Sequence, residues 1–290
     1  MSRWRAAIWL ILSILFTVPT TAEIPPRINV PLNHFFLVLP APTFDVLAAS
    51  YEWRTLVQVE QRTTTADGES WTGLYLYLDN GYLELLRDGA VNMKAGTIGL
   101  AVSVDLLSEL ETANTRLKPL WPSVQRATRK KQLGDSETPW FDMLYSSADE
   151  LGIGLPVWVM AYRQEFFRAQ GVDVPDGAPL TVRDFERLAP SQAAAKCSRI
   201  RTIRLSASSA SVDGLGRWLT ALGWSATRSL TSADYTQAGI TISLISSKPD
   251  ATPRLMDTTW SCTTQALKDS QPAPGLRVTE REGSVTWQFP

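Results

Sequence analysis

Side chains that dominate metal and nucleophile chemistry are scarce in this 290-residue chain, which has one histidine, His34, and two cysteines, Cys197 and Cys262. Neither a CxxC pair nor any zinc-type spacing occurs, which excludes a structural zinc site. With one imidazole, a Ser-His-Asp arrangement would have to run through His34, and the chain has no GxSxG elbow. GxGxxG and P-loop motifs are also missing, so no nucleotide cofactor is expected. Basic excess is absent too: 28 Lys and Arg stand against 29 Asp and Glu. Without a basic footprint, nucleic acid is not an expected partner. The single basic cluster, Arg126 to Lys131 (RATRKK), reads as a solvated loop among polar neighbours. A membrane-spanning stretch is lacking as well. The apolar run Ala6 to Val18, broken only by Ser13 and Thr17, falls short of the roughly 18–20 residues a span needs.

That short run has a different grammar. Arg3 and Arg5 precede it, Pro19 ends it, and Thr20-Thr21-Ala22 supplies small residues for cleavage. Together these predict a secretory signal over residues 1–22, a mature chain starting at or near Glu23, and a secreted or periplasmic location. Without Arg3 and Arg5 the 28 basic residues become 26, against 29 acidic ones, so the mature chain is slightly acidic. No cysteine follows Ala22, which rules out lipid attachment at a new N-terminal cysteine, and no membrane partner is expected after cleavage. In an oxidising compartment two cysteines are more often a disulfide than two free thiols. Hydrophobic residues make up 44%, enough for a packed core rather than a disordered chain. The eleven tryptophans fit a core or a stacking surface equally well.

Alternation along the chain predicts a repeated unit. Leu32 to Leu39 (LNHFFLVL) reads as a strand and Pro42 to Ser50 as a helix. Leu56 to Thr63, Gly73 to Leu78 and Tyr82 to Leu86 read as strands, the last two joined by the Asp79-Asn80-Gly81 turn. Thr97 to Val104 starts a second copy, with a helix over Asp105 to Leu117 capped by Asp105 and strands at Trp140 to Tyr145 and Pro156 to Tyr162. The course of Pro119 to Pro139 is open. A connection follows, with a short helix at Val182 to Leu188. A third copy has a strand at Ile200 to Ala207, a helix at Ser211 to Leu222 and a strand at Ile240 to Ser246. A partial fourth has a strand at Leu255 to Cys262, a weak helix at Thr263 to Asp269, and a hairpin of Leu276 to Glu282 with Val285 to Phe289. Repetition of one strand-helix-strands unit weighs more than any single assignment.

Leu32-Asn33-His34-Phe35-Phe36-Leu37-Val38-Leu39, Thr72-Gly73-Leu74-Tyr75 and Tyr82-Leu83-Glu84-Leu85 resemble the vicinal oxygen chelate superfamily, the glyoxalase and extradiol-dioxygenase type. The resemblance looks closest to an uncharacterised glyoxalase-like group and covers roughly residues 30–165. It implies an α+β fold of paired strand-helix-strand-strand-strand modules forming cupped mixed sheets. The glyoxalase-like domain would span 28–171, a linker 172–195, and a degenerate glyoxalase-like domain 196–290. In such a family each module gives up to two ligands to a divalent metal. Carried over, the first module supplies His34 and Glu84. The second offers none from TIGLAVSV, and the slot near its last strand falls on Ala161. Two ligands are fewer than the zinc or facial-iron sites require. Completion would need recruitment of a residue such as Asp142 or Glu60. The family's pseudo-symmetry further implies that Cys197 and Cys262 meet where the first strands of the third and fourth units pair.

The residues themselves allow more than one role. His34 shares a strand face with Phe36 and Val38, and Glu84 with Tyr82 and Leu86. Glu84 is then a general base, half of a metal site, or a structural carboxylate held by His34, a tyrosine or backbone. Arg62, Trp71, Tyr75, Trp158 and Tyr162 are the candidate substrate-binding residues of the same cup; edge-strand and core roles suit them as well. Three functions stay open: a binder of an unknown small molecule, an enzyme of lyase, isomerase or dioxygenase type using a divalent metal or Glu84, and a protein-interaction module.

Overall fold

The computed structural model describes residues 28–147, 150, 152–189, 195–229, 231–263 and 268–289. The predicted signal segment lies outside them. The first module is β1 (Leu32–Leu39), α1 (Ala41–Ala49), β2 (Gln58–Ala66), β3 (Glu69–Leu78) and β4 (Gly81–Arg87). The second is β5 (Ile98–Ser103), α2 (Glu109–Leu117), β6 (Gln125–Leu133), β7 (Ser136–Tyr145) and β8 (Val157–Tyr162). Two short helices follow, α3 (Gln164–Ala169) and α4 (Val182–Glu186). The third module is β9 (Cys197–Ala207), α5 (Ser209–Ala221), β10 (Ser225–Arg228), β11 (Ser232–Gln237) and β12 (Ile240–Ser246). The fourth has β13 (Arg254–Cys262), β14 (Lys268–Ala273), β15 (Leu276–Arg281) and β16 (Ser284–Gln288). The fold is α+β, and every module orders its strands first-fourth-third-second.

The two module pairs end differently. The first closes into a barrel, β1-β4-β3-β2-β6-β7-β8-β5, through β1 on β5 and a narrow join of β2 to β6. The join sits at the tip of the β2–β3 hairpin, where Asp67 and Gly68 take positive φ angles of 48° and 78°, the primed-turn geometry that matches strand twist. Asp67 latches the tip to β6: its N–H donates to the Lys130 carbonyl, its carboxylate accepts from the Lys130 N–H, and Arg129 pairs with it. The second pair stays an open eight-stranded sheet, with β9 and β13 antiparallel at its centre.

Strand β1 is apolar on both faces because both are buried. Phe35, Leu37 and Leu39 enter the main core, which continues through α1, α2 and the second sheet to Ile203, Trp260 and Trp287. His34, Phe36 and Val38 turn into the barrel. Polar contacts fasten the sheets to each other. The Asn80 side chain donates to the Ile200 carbonyl (2.9 Å) and accepts from the Ile200 N–H (2.8 Å), and the Trp224 indole donates to the Val30 carbonyl at 3.1 Å. Cys197 and Cys262 are direct partners across β9 and β13 and form a disulfide. No helix among the described residues is long and apolar enough to cross a membrane.

The segment after β8 does more than connect. Phe185 of α4 stacks on Tyr162 (ring centroids 5.1 Å, planes 13° apart) and packs on Tyr82 (5.8 Å), while Phe166 of α3 lies 5.9 Å from Trp140. These rings close one end of the barrel. Thr181 holds the start of α4 in a reciprocal capping box with Asp184.

Several expectations are corrected. RATRKK is part of strand β6, not a loop: Arg126 and Thr128 meet Asp142 outside the barrel, while Arg129 and Lys131 take the opposite, inner side. β10, β11 and β14 are polar strands that alternation did not reveal. The helix expected over Thr263 to Asp269 falls mostly outside the described residues, and Lys268 and Asp269 begin β14. Asp105 does not cap α2, which starts at Glu109; the Glu109 carboxylate reaches back to the Leu106 N–H, and the Asp105 carbonyl accepts from Leu180.

Candidate functional site

Strand alternation inside a barrel sends every second side chain to the axis. β1 contributes His34 and Phe36, β4 contributes Tyr82, Glu84 and Leu86, and β8 contributes Trp158 and Met160. Trp71 and Tyr75 come from β3, Trp140, Phe141 and Met143 from β7, and Arg129 from β6. Together they enclose a cavity of about 280 Å3 at the end opposite Phe185. Its walls are aromatic rings and methionine thioethers. The polar groups are His34, Glu84, Arg129 and the ring hydroxyls.

His34 and Glu84 face this cavity from neighbouring strands, offset by one inward position: His34 is opposite Tyr82, and Glu84 is opposite Phe36. Each is bonded elsewhere. His34 Nδ1 lies 2.8 Å from Asn33 Oδ1, whose amide nitrogen donates to the Tyr162 hydroxyl. An amide oxygen only accepts, so Nδ1 carries the proton and Nε2 is left as an acceptor. Burial, assisted by the nearby Arg62 charge, brings the His34 pKa down to about 3, so the imidazole is neutral at physiological pH. The Glu84 pKa is raised because burial outweighs the hydrogen bonds from Tyr75 and Trp71 and the charges of Arg62 and Lys131. The Trp71 indole N–H lies 3.1 Å from Glu84 Oε1 and 3.1 Å from the Tyr75 oxygen, which share it.

The family model for a family of unknown function, DUF5829, matches residues 32–289. The chain belongs to that family. Among solved structures, the DUF5829 chain is similar to a hypothetical protein from Staphylococcus aureus, with TM-score 0.53 at 10% identity over 88% of this chain and 97% of that one. That likeness is one of fold. A variant of homoprotocatechuate 2,3-dioxygenase from B. fuscum gives TM-score 0.42 at 13% identity, over 77% of this chain and 55% of the other. The Mn(II)-bound glyoxalase from Novosphingobium aromaticivorans gives 0.40 at 14%, over 79% and 64%. Neither bears on the chemistry of the cavity. No curated protein matches the sequence.

The DUF5829 cavity brings together five of the expected site residues, His34, Glu84, Trp71, Tyr75 and Trp158. Arg62 and Tyr162 lie at the closed end instead. β2 reaches the axis there, so Arg62 donates to Glu60 (2.8 Å) and the Tyr77 hydroxyl (2.8 Å) beneath the Tyr75 ring, 3.8 Å from its centroid. Tyr162 is held by Asn33 and Phe185. Residues the sequence reading missed include Arg129, Met93, Met160 and the inner lysine, Lys131. Lys131 sits 5.0 Å from the Trp140 ring and 5.5 Å from Phe166, and burial lowers its pKa to about 8. Once β6 is recognised as a strand, the alternation Ala127, Arg129, Lys131 and Leu133 identifies the inward set.

A divalent metal, which the family resemblance implies, does not fit these residues. Ala161 packs in the main core, so the inward positions of β8 are Trp158, Met160 and Tyr162. Asp142 alternates with the inward Phe141 and Met143 and is bonded by Arg126 (2.7 Å), Thr128 (2.8 Å) and Arg163 (3.0 Å). Glu60 is taken by Arg62 and Tyr77. Neither joins His34 and Glu84, and no group of three or more His, Cys, Asp or Glu able to hold a metal occurs among the described residues. Known zinc and facial-iron sites need about three protein ligands.

Proposed function

We propose that this protein is an exported, glyoxalase-like binder of a small organic molecule, which it takes into the open end of the first barrel. One observation carries the reading: a concave, ring-walled cavity of about 280 Å3 with a few convergent polar groups, the usual form of a ligand site. Glu84 and His34 Nε2 would anchor a donor group of the ligand, and the tryptophan faces would cover its apolar body. A fragment library read by tryptophan fluorescence and thermal shift tests the binding. Hits should weaken about tenfold or more in Trp158→Ala, as expected for losing a ring from a binding pocket. Hits indifferent to Trp158 would place binding elsewhere.

Export is the second part of the reading. It rests on the Arg3 and Arg5 flank, the apolar run and Thr20-Thr21-Ala22. The Cys197–Cys262 disulfide is consistent with an oxidising compartment. N-terminal sequencing of the protein from its native host should begin at or near Glu23. An intact Met1 on a cytosolic protein would refute it.

The raised pKa of Glu84 favours one further reading, an isomerase or lyase in which Glu84 moves a proton of the bound molecule. Turnover of a hit, abolished in Glu84→Gln with binding retained, would establish it. Binding without turnover keeps the binder.

A further inference from the structure

The charge balance of the cavity points to its ligand class. Among the described residues, the buried ionisable groups of the barrel interior mostly have partners. Glu60 pairs with Arg62 at 2.8 Å, and Arg129, the cation on the cavity wall, pairs with Asp67. Two groups are the exceptions: Lys131, which lies against the Trp140 and Phe166 rings and whose charge reaches Glu84 without an ion pair, and Glu84 itself. Glu84 exposes 8% of its surface, and no Lys, Arg or His lies within ion-pair distance of it among the described residues. Its hydrogen-bond donors are neutral, the Trp71 indole and the Tyr75 phenol. A buried carboxylate without a counter-ion is costly when ionised. His34 supplies no positive charge, because it is neutral and offers an acceptor to the cavity.

The walls suit what Glu84 lacks. Phe36, Trp71, Tyr82 and Trp158 line the same cavity as the carboxylate, and ring faces attract cations through their quadrupole. The barrel already uses this interaction twice, with Arg62 over Tyr75 at 3.8 Å and Lys131 over Trp140 at 5.0 Å. Met93, Met143 and Met160 add polarizable thioethers to the same lining. An anion would meet Glu84 unfavourably, and a neutral apolar body would leave it unpaired.

We propose that the cavity binds an organic cation, a tertiary or quaternary ammonium on a compact apolar body, with Glu84 as its counter-ion inside an aromatic cage. This rests on the small-molecule-binding reading above and adds the charge of the ligand.

Paired isosteres separate the two. Benzyltrimethylammonium and its carbon isostere, neopentylbenzene, have nearly the same shape and differ in charge. Titrated into the mature, disulfide-bonded protein at pH 7.5 and followed by tryptophan fluorescence, the cation should bind about tenfold or more tightly than the isostere, the scale of a desolvated cation–π site with a counter-ion. In Glu84→Gln, with folding checked by thermal denaturation, the preference should fall to about twofold or less while the isostere's affinity stays put. Equal affinities, or a tighter isostere, overturn the cation assignment and leave the binding site standing. A preference that survives in Glu84→Gln overturns the role of Glu84. Failure of both probes to bind at millimolar concentration removes the binding reading and the cation with it. The wild-type comparison needs no variant, so an unstable Glu84→Gln does not protect the proposal.

Discussion

His34 lies flat against Tyr82, its direct neighbour across the parallel β1–β4 ladder, with ring centroids 4.6 Å apart and planes 14° apart. Trp158 meets the imidazole at a steep angle of 68°, with ring centroids 5.2 Å apart. This stack removes the only imidazole of the chain from bulk water, and with Asn33 on Nδ1 it fixes the neutral form.

Acid stability should follow from that burial. The His34 pKa in the folded protein, about 3, lies below the unfolded value of 6.5, so the unfolded chain binds a proton first as pH falls. The contribution of neutral His34 is fully present above pH 6.5 and lost as pH drops toward 3. NMR should show the single imidazole unprotonated at pH 5, and unmoved by zinc or manganese. In His34→Phe, denaturant midpoints should fall less steeply between pH 7 and 4 than in the wild type. An imidazole titrating near 6.5 would contradict the burial described.

Glu186 gives the opposite pH dependence at the closed end. Burial, then the charge of Asp79, pushes its pKa up to about 9 against the opposing pull of Arg183. A folded pKa above the ordinary 4.5 makes the contribution of protonated Glu186 complete below pH 4.5 and lost as pH rises through 9. Glu186→Gln should therefore gain about 1–3 kcal/mol on the wild type at pH 9, with little difference at pH 4. Parallel stability curves for the two proteins would rule this out.

Gly99 of β5 makes room for a cavity wall. A Cβ there would stand 2.1 Å from the Phe36 ring, so Gly99→Ala must push that ring into the cavity or distort β1. Overpacking of this kind costs about 1–3 kcal/mol. Phe36→Ala alone should cost about 3–5 kcal/mol through its own void. The double variant should cost clearly less than the sum, because the clash and the void share one space. Urea unfolding of the four proteins measures the coupling, and strict additivity would show that Phe36 is not what Gly99 accommodates.

The Cys197–Cys262 bridge spans 65 residues and ties the start of β9 to the end of β13. In the chain-entropy model, closing a loop of this size stabilises by roughly 4 kcal/mol. Cys197→Ala/Cys262→Ala should lose a large part of that in denaturant unfolding, with the cavity unaffected, since both residues lie in the second sheet. Two free thiols titrating in the oxidised native protein would remove the bridge.

Much of the module pattern was legible in the chain. Strands β1 and β12 run over the residues that alternation marks, and α1 is shifted by a single residue. His34 with Phe36, and Glu84 with Tyr82, share faces as a two-residue period requires. These are local properties: a strand buried on one or both faces writes its period into neighbouring residues. The polar strands β6, β10, β11 and β14 left no such trace. Their apolar content is low because ladder bonds to the neighbouring hairpin strands hold them.

Sequence alone thus determined the repeated strand-helix-strands unit and the faces of its apolar strands, because each depends on spacing along one segment. It also defined the signal-like grammar of the first 22 residues. Tertiary structure decided that one module pair closes and the other stays open, that α3 and α4 shut one end of the barrel, and that Arg62 belongs to the shut end. It also decided that burial, not Glu84, governs His34. Each of these outcomes arises where residues far apart in sequence meet away from water, and no local period encodes that meeting.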